Sequence, residues 1–327
     1  MHRRHLLAAP LALPALATPA RAPHAQDAPW PNRPVKVVMP YAAGGPTDVI
    51  CRLLCDRLSQ RLPNRFVVET RTGAGGNIGA SVVAKAVGDG YSLLFSNIGL
   101  AVVRALYASL DYDPTRDLKP VTILAESPMV LLVPPNAPWR TLAEFIAEAR
   151  ANPGKLSYVS AGGGGALQLV TLLFLKAAGV RMEEIAYRGS APAVPDLAAG
   201  TVSMMYDAGA TGFSLARNGQ ARALAVSSPQ RSPVMPEVPT MAESGLPDAT
   251  FSVWQAFFAP ASTPDALVAQ LQREIAAVLA EPAVRARLVE MGAERIIGTP
   301  PAEAQAFVAA EFTRWENLLR DAGIKPQ

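Results

Sequence analysis

The chain has 327 residues, half of them hydrophobic and 17% charged, a composition that fits one large or two medium packed domains. With 30 Lys+Arg against 27 Asp+Glu the net charge is only +3, which excludes the basic footprint of a nucleic-acid-binding protein. The three histidines are His2, His5 and His24, all ahead of the chain's body, which excludes Ser–His–Asp and Cys–His catalysis and His-ligated metal sites. No catalytic residue, metal ligand or cofactor is therefore expected.

Residues 1–5 are basic, and 6–17 form a short apolar run broken by Pro10 and Pro14. Ala15-Leu16-Ala17 and Ala20-Arg21-Ala22 are candidate cleavage sites. The run falls short of the roughly 20 residues of a membrane span, so it reads as a secretory signal peptide. Arg3-Arg4 also allows a twin-arginine export route. Signal peptide and tether together take residues 1–26, and the Pro- and Ala-rich sequence runs on to 32. Without residues 1–22 the chain loses three arginines and no acid, so its charges balance.

Residues 35–40 are an apolar, β-branched run and predict a buried strand. A glycine turn over 41–48 follows, then a helix running to about residue 62. Pro46 suits a first helical position, and Asp48 suits the positive end of the helix dipole. Free backbone N–H groups over such a loop favour an anion. Cys51 and Cys55 lie i and i+4 on this helix, a poor disulfide geometry, and read as small core residues with a redox pair as the alternative. A strand at 66–70 leads to a second glycine loop and a helix over 78–87. The stretch 73–79 approaches a dinucleotide fingerprint, but its third glycine is misplaced and no acid ends the next strand, 91–95, so a Rossmann cofactor is not expected.

Strands are expected at 121–124 and 129–133, and a helix capped by Thr141 through residue 150. The opening pattern then returns: a strand at 156–160, glycines at 162–165, and an apolar helix over 166–178. Strands at 184–187 and 203–206 end in polar residues and flank a helix at 191–199. Further strands fall at 221–227 and 253–259, then helices at 264–279, 282–291 and 302–322. This alternation predicts an α/β fold with mostly parallel sheets, whose ligands sit at strand carboxyl ends. Two lobes, each offering N–H groups from a glycine loop, would hold one small carboxylate.

Pro40-Tyr-Ala-Ala-Gly-Gly-Pro-Thr-Asp48, Gly73-Ala-Gly-Gly-Asn-Ile-Gly79, Asp89-Gly-Tyr91, Tyr187-Arg-Gly-Ser-Ala-Pro192, Arg231-Ser-Pro233, Pro236-Glu-Val-Pro-Thr240 and Phe258-Ala-Pro260 together resemble the Bug family. These are periplasmic solute receptors of tripartite tricarboxylate transporters. The resemblance spans residues 31–323. It implies a two-lobed Venus flytrap of the type II periplasmic-binding class. Lobe 1 would be 27–127 plus 254–327, lobe 2 would be 128–253, and the hinge strands 130–133 and 254–259. It further implies a monomer that binds a small carboxylate in the periplasm and hands it to separately encoded membrane permease subunits.

The implied ligand-binding residues are Tyr41, Ala43, Gly44, Gly45, Thr47 and Asp48 in the first loop, with Asn97. In the other lobe they are Ser160, Ala161, Gly162, Gly164, Gly165, Gln168, Gly189, Ser190 and Asp207. Tyr41 is expected as a cleft wall. Thr47 and Asp48 either touch ligand or cap the first helix. Asp207 either meets a ligand amine or hydroxyl or pairs with an arginine. Relatives usually carry a polar residue at the position of Gly163 and Ser or Thr at Gly165, and often His at Gln168 and Asn at Ala208. Those departures imply a bulkier or less polar acid than aspartate or citrate. A sensor receptor signalling to a membrane kinase shares this signature, and an exported enzyme is a third reading.

Overall fold

The computed structural model describes residues 30–41, 43–44, 46–160, 165–187 and 189–326. The leader and the start of its tether thus lie outside the described residues. The first half contains β1 (Val35–Met39), α1 (Pro46–Arg61), β2 (Phe66–Thr70), α2 (Asn77–Ala84), β3 (Ser92–Asn97), α3 (Val103–Leu106), β4 (Leu118–Ser127), β5 (Met129–Val133), α4 (Leu142–Ala151) and β6 (Ser157–Ser160). The second contains α5 (Ala166–Ala178), β7 (Glu183–Ala186), α6 (Val194–Ala199), β8 (Met205–Ala208), α7 (Gly209–Arg217), β9 (Arg222–Val226), β10 (Val253–Pro260), α8 (Asp265–Leu279), α9 (Pro282–Glu290), β11 (Arg295–Ile296) and α10 (Pro301–Asp321). Among the described residues no helix is long and apolar enough to cross a membrane.

The strands form a six-stranded sheet in the order β11-β4-β10-β3-β1-β2, a three-stranded sheet β8-β5-β9, and the pair β6-β7. A parallel bridge from Tyr158 to Met204 joins β6 to the start of β8, extending the second sheet. The expectation of mostly parallel sheets needs correction. Only β1–β2, β1–β3 and β6–β7 pair in parallel among the named strands. β10 runs antiparallel to β3 and β4, β11 to β4, and β5 to β8 and β9. For the two central strands the cause is how the chain changes sheets. β4 passes through Pro128 directly into β5, and β10 brings the chain back. A strand entering from the other sheet must run against neighbours that run towards it. The carboxyl ends of β1, β3, β6, β7 and β8 therefore all point at the junction between the sheets.

Each sheet buries its own aromatic core. Phe95 meets Phe257 edge-on at 5.0 Å in the first, and Phe174 packs between Phe145 and Tyr206 in the second. Cys51 and Cys55 are buried, free thiols of the first core, and their mutual hydrogen bond together with burial pushes the Cys51 pKa up. A protonated, inaccessible thiol is a packing residue. At the junction, Trp254 and Trp315 are fully buried, and both indole N–H groups donate to Oε2 of buried Glu311 at 2.9 Å. Arg314 of the same helix donates to the Thr250 carbonyl, and Phe251 lies edge-on to Trp315 at 5.5 Å. Helix α10 thus clamps the segment by which the chain re-enters the first sheet.

Candidate ligand-binding cleft

The structure gathers those of the expected ligand residues that it describes into two groups, each at strand ends beside the junction. In the first, α1 begins at Pro46, directly after the glycine loop that ends β1. Gly44 has φ of +85°, a conformation glycine adopts without strain, and its N–H donates to Asp48 Oδ2 at 2.9 Å. Ala43 and Gly44 are exposed. Tyr41 is half-buried and shares a hydrogen bond of 3.0 Å with Ser96 Oγ; burial pushes its phenol pKa up, so it stays a neutral hydroxyl. Asn97, at the end of β3, does two jobs. Its Oδ1 accepts from the Gly99 N–H at 2.8 Å, and its Nδ2 donates to Thr47 Oγ1 at 3.0 Å.

Asp48 is 4% exposed, and Arg52 Nε lies 3.0 Å from both its carboxylate oxygens. Its charge is thus used inside the loop, which favours the capping role over ligand contact. Burial alone would raise its pKa; the Arg52 hydrogen bond, the Gly44 N–H and the Arg52 charge outweigh that and lower it. A depressed folded pKa gives stability that is present above the ordinary value of 3.8 and lost as pH falls through the folded value. Asp48→Asn is therefore expected to cost about 1–2 kcal/mol at neutral pH. The gap to the wild type should shrink in acid, as read by denaturant unfolding at pH 7 and pH 3. A gap that does not change with pH would show that Asp48 carries no such charge.

In the second group, Ser160 is fully buried at the end of β6, and its carbonyl accepts the Tyr187 N–H at 2.8 Å. Gly165 is exposed and immediately precedes α5, while Gln168 sits half-buried in that helix's first turn. Gly189 has φ of +103° with open space where a Cβ would be. Ser190 Oγ donates to Asp207 Oδ1 at 2.7 Å, and the same oxygen accepts the Ala208 N–H at 2.9 Å. Gly45, Ala161, Gly162, Gly163 and Gly164 lie outside the described residues. Cavities of about 630 Å³ beside α4 and β9 and 840 Å³ between α1, β2 and α9 contain none of the expected ligand residues.

Sequence reasoning missed three supports. Arg52 braces Asp48, a pairing legible from its i+4 spacing. Ser96 holds Tyr41, and Tyr187 Oη donates to Asp196 at 2.6 Å, fixing the loop that carries Gly189 and Ser190. The loop at 73–76 packs against the first loop: a Cβ on Gly76 would lie 3.3 Å from the Tyr41 ring and 3.4 Å from Pro40.

Residues 50–324 match the family described as tripartite tricarboxylate transporter family receptor. The chain belongs to that family. It is 37% identical to BugT of Bordetella pertussis over 298 residues, covering 90% of this chain and 91% of BugT. The solved structure of Rpa4515 from R. palustris with adipate superposes with a TM-score of 0.75 at 37% identity, covering 91% of this chain and 100% of that one. MatC from Rhodopseudomonas palustris with bound malate gives 0.71 at 33% identity, covering 89% and 100%. The fold of this family receptor is accordingly the two-lobed periplasmic-binding type, and its family is one of solute receptors.

Proposed function

We propose that this family receptor captures a small carboxylic acid between the loop after β1 and the loop after β6, and delivers it to a membrane permease from the periplasm. Lobe 1 would be residues 27–127 with 254–327, lobe 2 residues 128–253, and β5 and β10 the hinge strands. The observation that carries the reading is the convergence of strand ends from both sheets on one junction, and in the sequence a run of glycines follows β1 on one side and β6 on the other. The two similar structures whose ligands are named hold adipate and malate, which supports a carboxylate here.

The described cleft residues offer the acid neutral donors and no free cation. Arg52 is taken by Asp48 and the Ser190 hydroxyl proton by Asp207, leaving backbone N–H groups with the hydroxyls of Tyr41 and Thr47. Such a site holds an anion by oriented dipoles. Glycine at 163 and 165, Gln168 and Ala208 leave fewer side-chain donors in the second lobe, which favours a bulkier or less polar acid.

A thermal-shift screen of the protein from residue 27 onward, against dicarboxylates including adipate and malate and against aromatic carboxylates, tests this directly. An acid bound only by the folded chain raises the melting temperature by several degrees at saturating concentration. No shift with any acid, from protein first unfolded and refolded to strip bound ligand, would refute the carboxylate reading.

A further inference from the structure

The strand orders place the cleft on one side of the crossover strands and a second contact on the other. In the first sheet β1 and β3 lie on one side of β10 and β4, and β11 on the opposite edge. In the second, β6, β7 and β8 lie on one side of β5, and β9 on the other. The cleft groups belong to the first side. On the β9/β11 side the segment following β9 meets the turn between α9 and β11. Ser232 is fully buried there, and its Oγ donates to Glu294 Oε1. A Cβ at Gly292 would lie 3.2 Å from the Ala210 Cβ, so the first turn of α7 also touches this turn.

The turn itself is fixed to the first sheet. The Glu294 N–H donates to the Glu126 carbonyl at 3.0 Å, and Arg295 pairs with the Glu126 carboxylate at 2.5 Å. The seam across to the second sheet is looser. It encloses cavities of about 60 Å³ near Ser228 and Arg295 and 220 Å³ between Phe213 and Val289. Surfaces packed with such voids forgo part of their dispersion contact and part at low cost.

We propose that this seam is a latch opposing cleft closure, so that affinity is set partly by residues that never touch ligand. A rotation about the crossover strands that brings the cleft walls together must part the β9/β11 side, as with any lever about a central pivot. Every contact across the seam then stabilises the open state. Apparent affinity falls by the fraction of molecules able to close. The inference rests on the receptor reading for its ligand but not for its pivot.

Two variants test it. Ser232→Ala removes the hydrogen bond across the seam, and Ala210→Trp wedges the contact with Gly292. Ala210 is exposed, so the wedge does not disturb a core. Small-angle scattering of both proteins without ligand reads closure directly, and adipate titration reads its coupling to binding. The expected results are a smaller radius of gyration in both variants and, for Ser232→Ala, roughly ten-fold tighter adipate binding from the loss of one charge-assisted hydrogen bond. An unchanged radius in both variants, or weaker adipate binding in both, would overturn the latch. Compaction in proteins none of which binds adipate, wild type included, would support the latch and count against adipate as a ligand.

Discussion

Replacing Glu311 by alanine lowers the unfolding free energy by about 3–5 kcal/mol, the largest stability loss expected of any single substitution considered in this chain. The reason is the arrangement at the sheet junction. One buried carboxylate oxygen accepts from two buried indoles, Trp254 and Trp315, each at 2.9 Å. Without it both N–H groups are stranded, each costing about 1–3 kcal/mol, and a cavity opens between two aromatic rings. Glu311→Gln keeps an acceptor of the same shape and should lose less than half as much. Chemical unfolding followed by tryptophan fluorescence reads both. Equal stability of the alanine variant and the wild type would show that the indoles do not depend on this carboxylate.

Asn97→Ala weakens carboxylate binding at least about ten-fold while costing only about 1 kcal/mol of stability. Asn97 ties the end of β3 to the head of α1: it caps the turn at Gly99 and holds the Thr47 hydroxyl. Removing it frees the Thr47 hydroxyl, a donor of the proposed site, and a misplaced donor costs affinity more than it costs the fold. Asn97→Asp is the sharper variant. It retains the acceptor for Gly99 but puts a negative charge beside an anion site, and should bind more weakly than the alanine variant. Calorimetric titration with the acid found in the thermal screen measures both. Wild-type affinity in Asn97→Ala would remove the first group from the ligand site.

Much of the fold was legible because the strongest local signals were also the structural ones. The continuous apolar run at 129–133 is β5, and the apolar helix expected at 166–178 is α5. The misses have local causes. β4 runs over Leu118–Ser127, past both ends of the expected 121–124, and Lys119 and Pro120 hid its start; Pro120 pairs with Phe258 beside a register shift in β10. Helix α7 opens Gly-Ala-Thr-Gly and reads as a loop. A Cβ at Gly212 would lie 3.1 Å from Val130, so the glycine admits a close helix-to-strand approach that propensity counts against the helix. Strand direction left no trace in composition, which is why the alternation predicted mostly parallel sheets while β5 and β10 run antiparallel to their neighbours.

The site divides the same way. Loop positions such as Gly44, Thr47, Asn97 and Ser190 could be placed because they follow strands and precede helices. Their partners could not, except Arg52, because Ser96 for Tyr41 and Asp207 for Ser190 are joined only by tertiary folding. The family resemblance named the positions, and hydrogen-bond geometry distinguished those spent on the loop, such as Asp48, from those left to face the junction.

The position of β10 has a consequence for how the chain reaches this state. It lies between β3 and β4, paired with both, though it comes from the last quarter of the sequence. The second sheet draws all its strands from one uninterrupted stretch, β5 to β9, and can assemble while the rest of the chain is still being made. The first sheet cannot: β3 and β4 have no neighbour in common until synthesis has passed Pro260, and closing that long loop is entropically slow. Ending the chain before Val253 would leave the second sheet with every strand and the first with a gap at its centre. β1, β2 and β3 can pair among themselves, but β4 waits for β10 before it can join them.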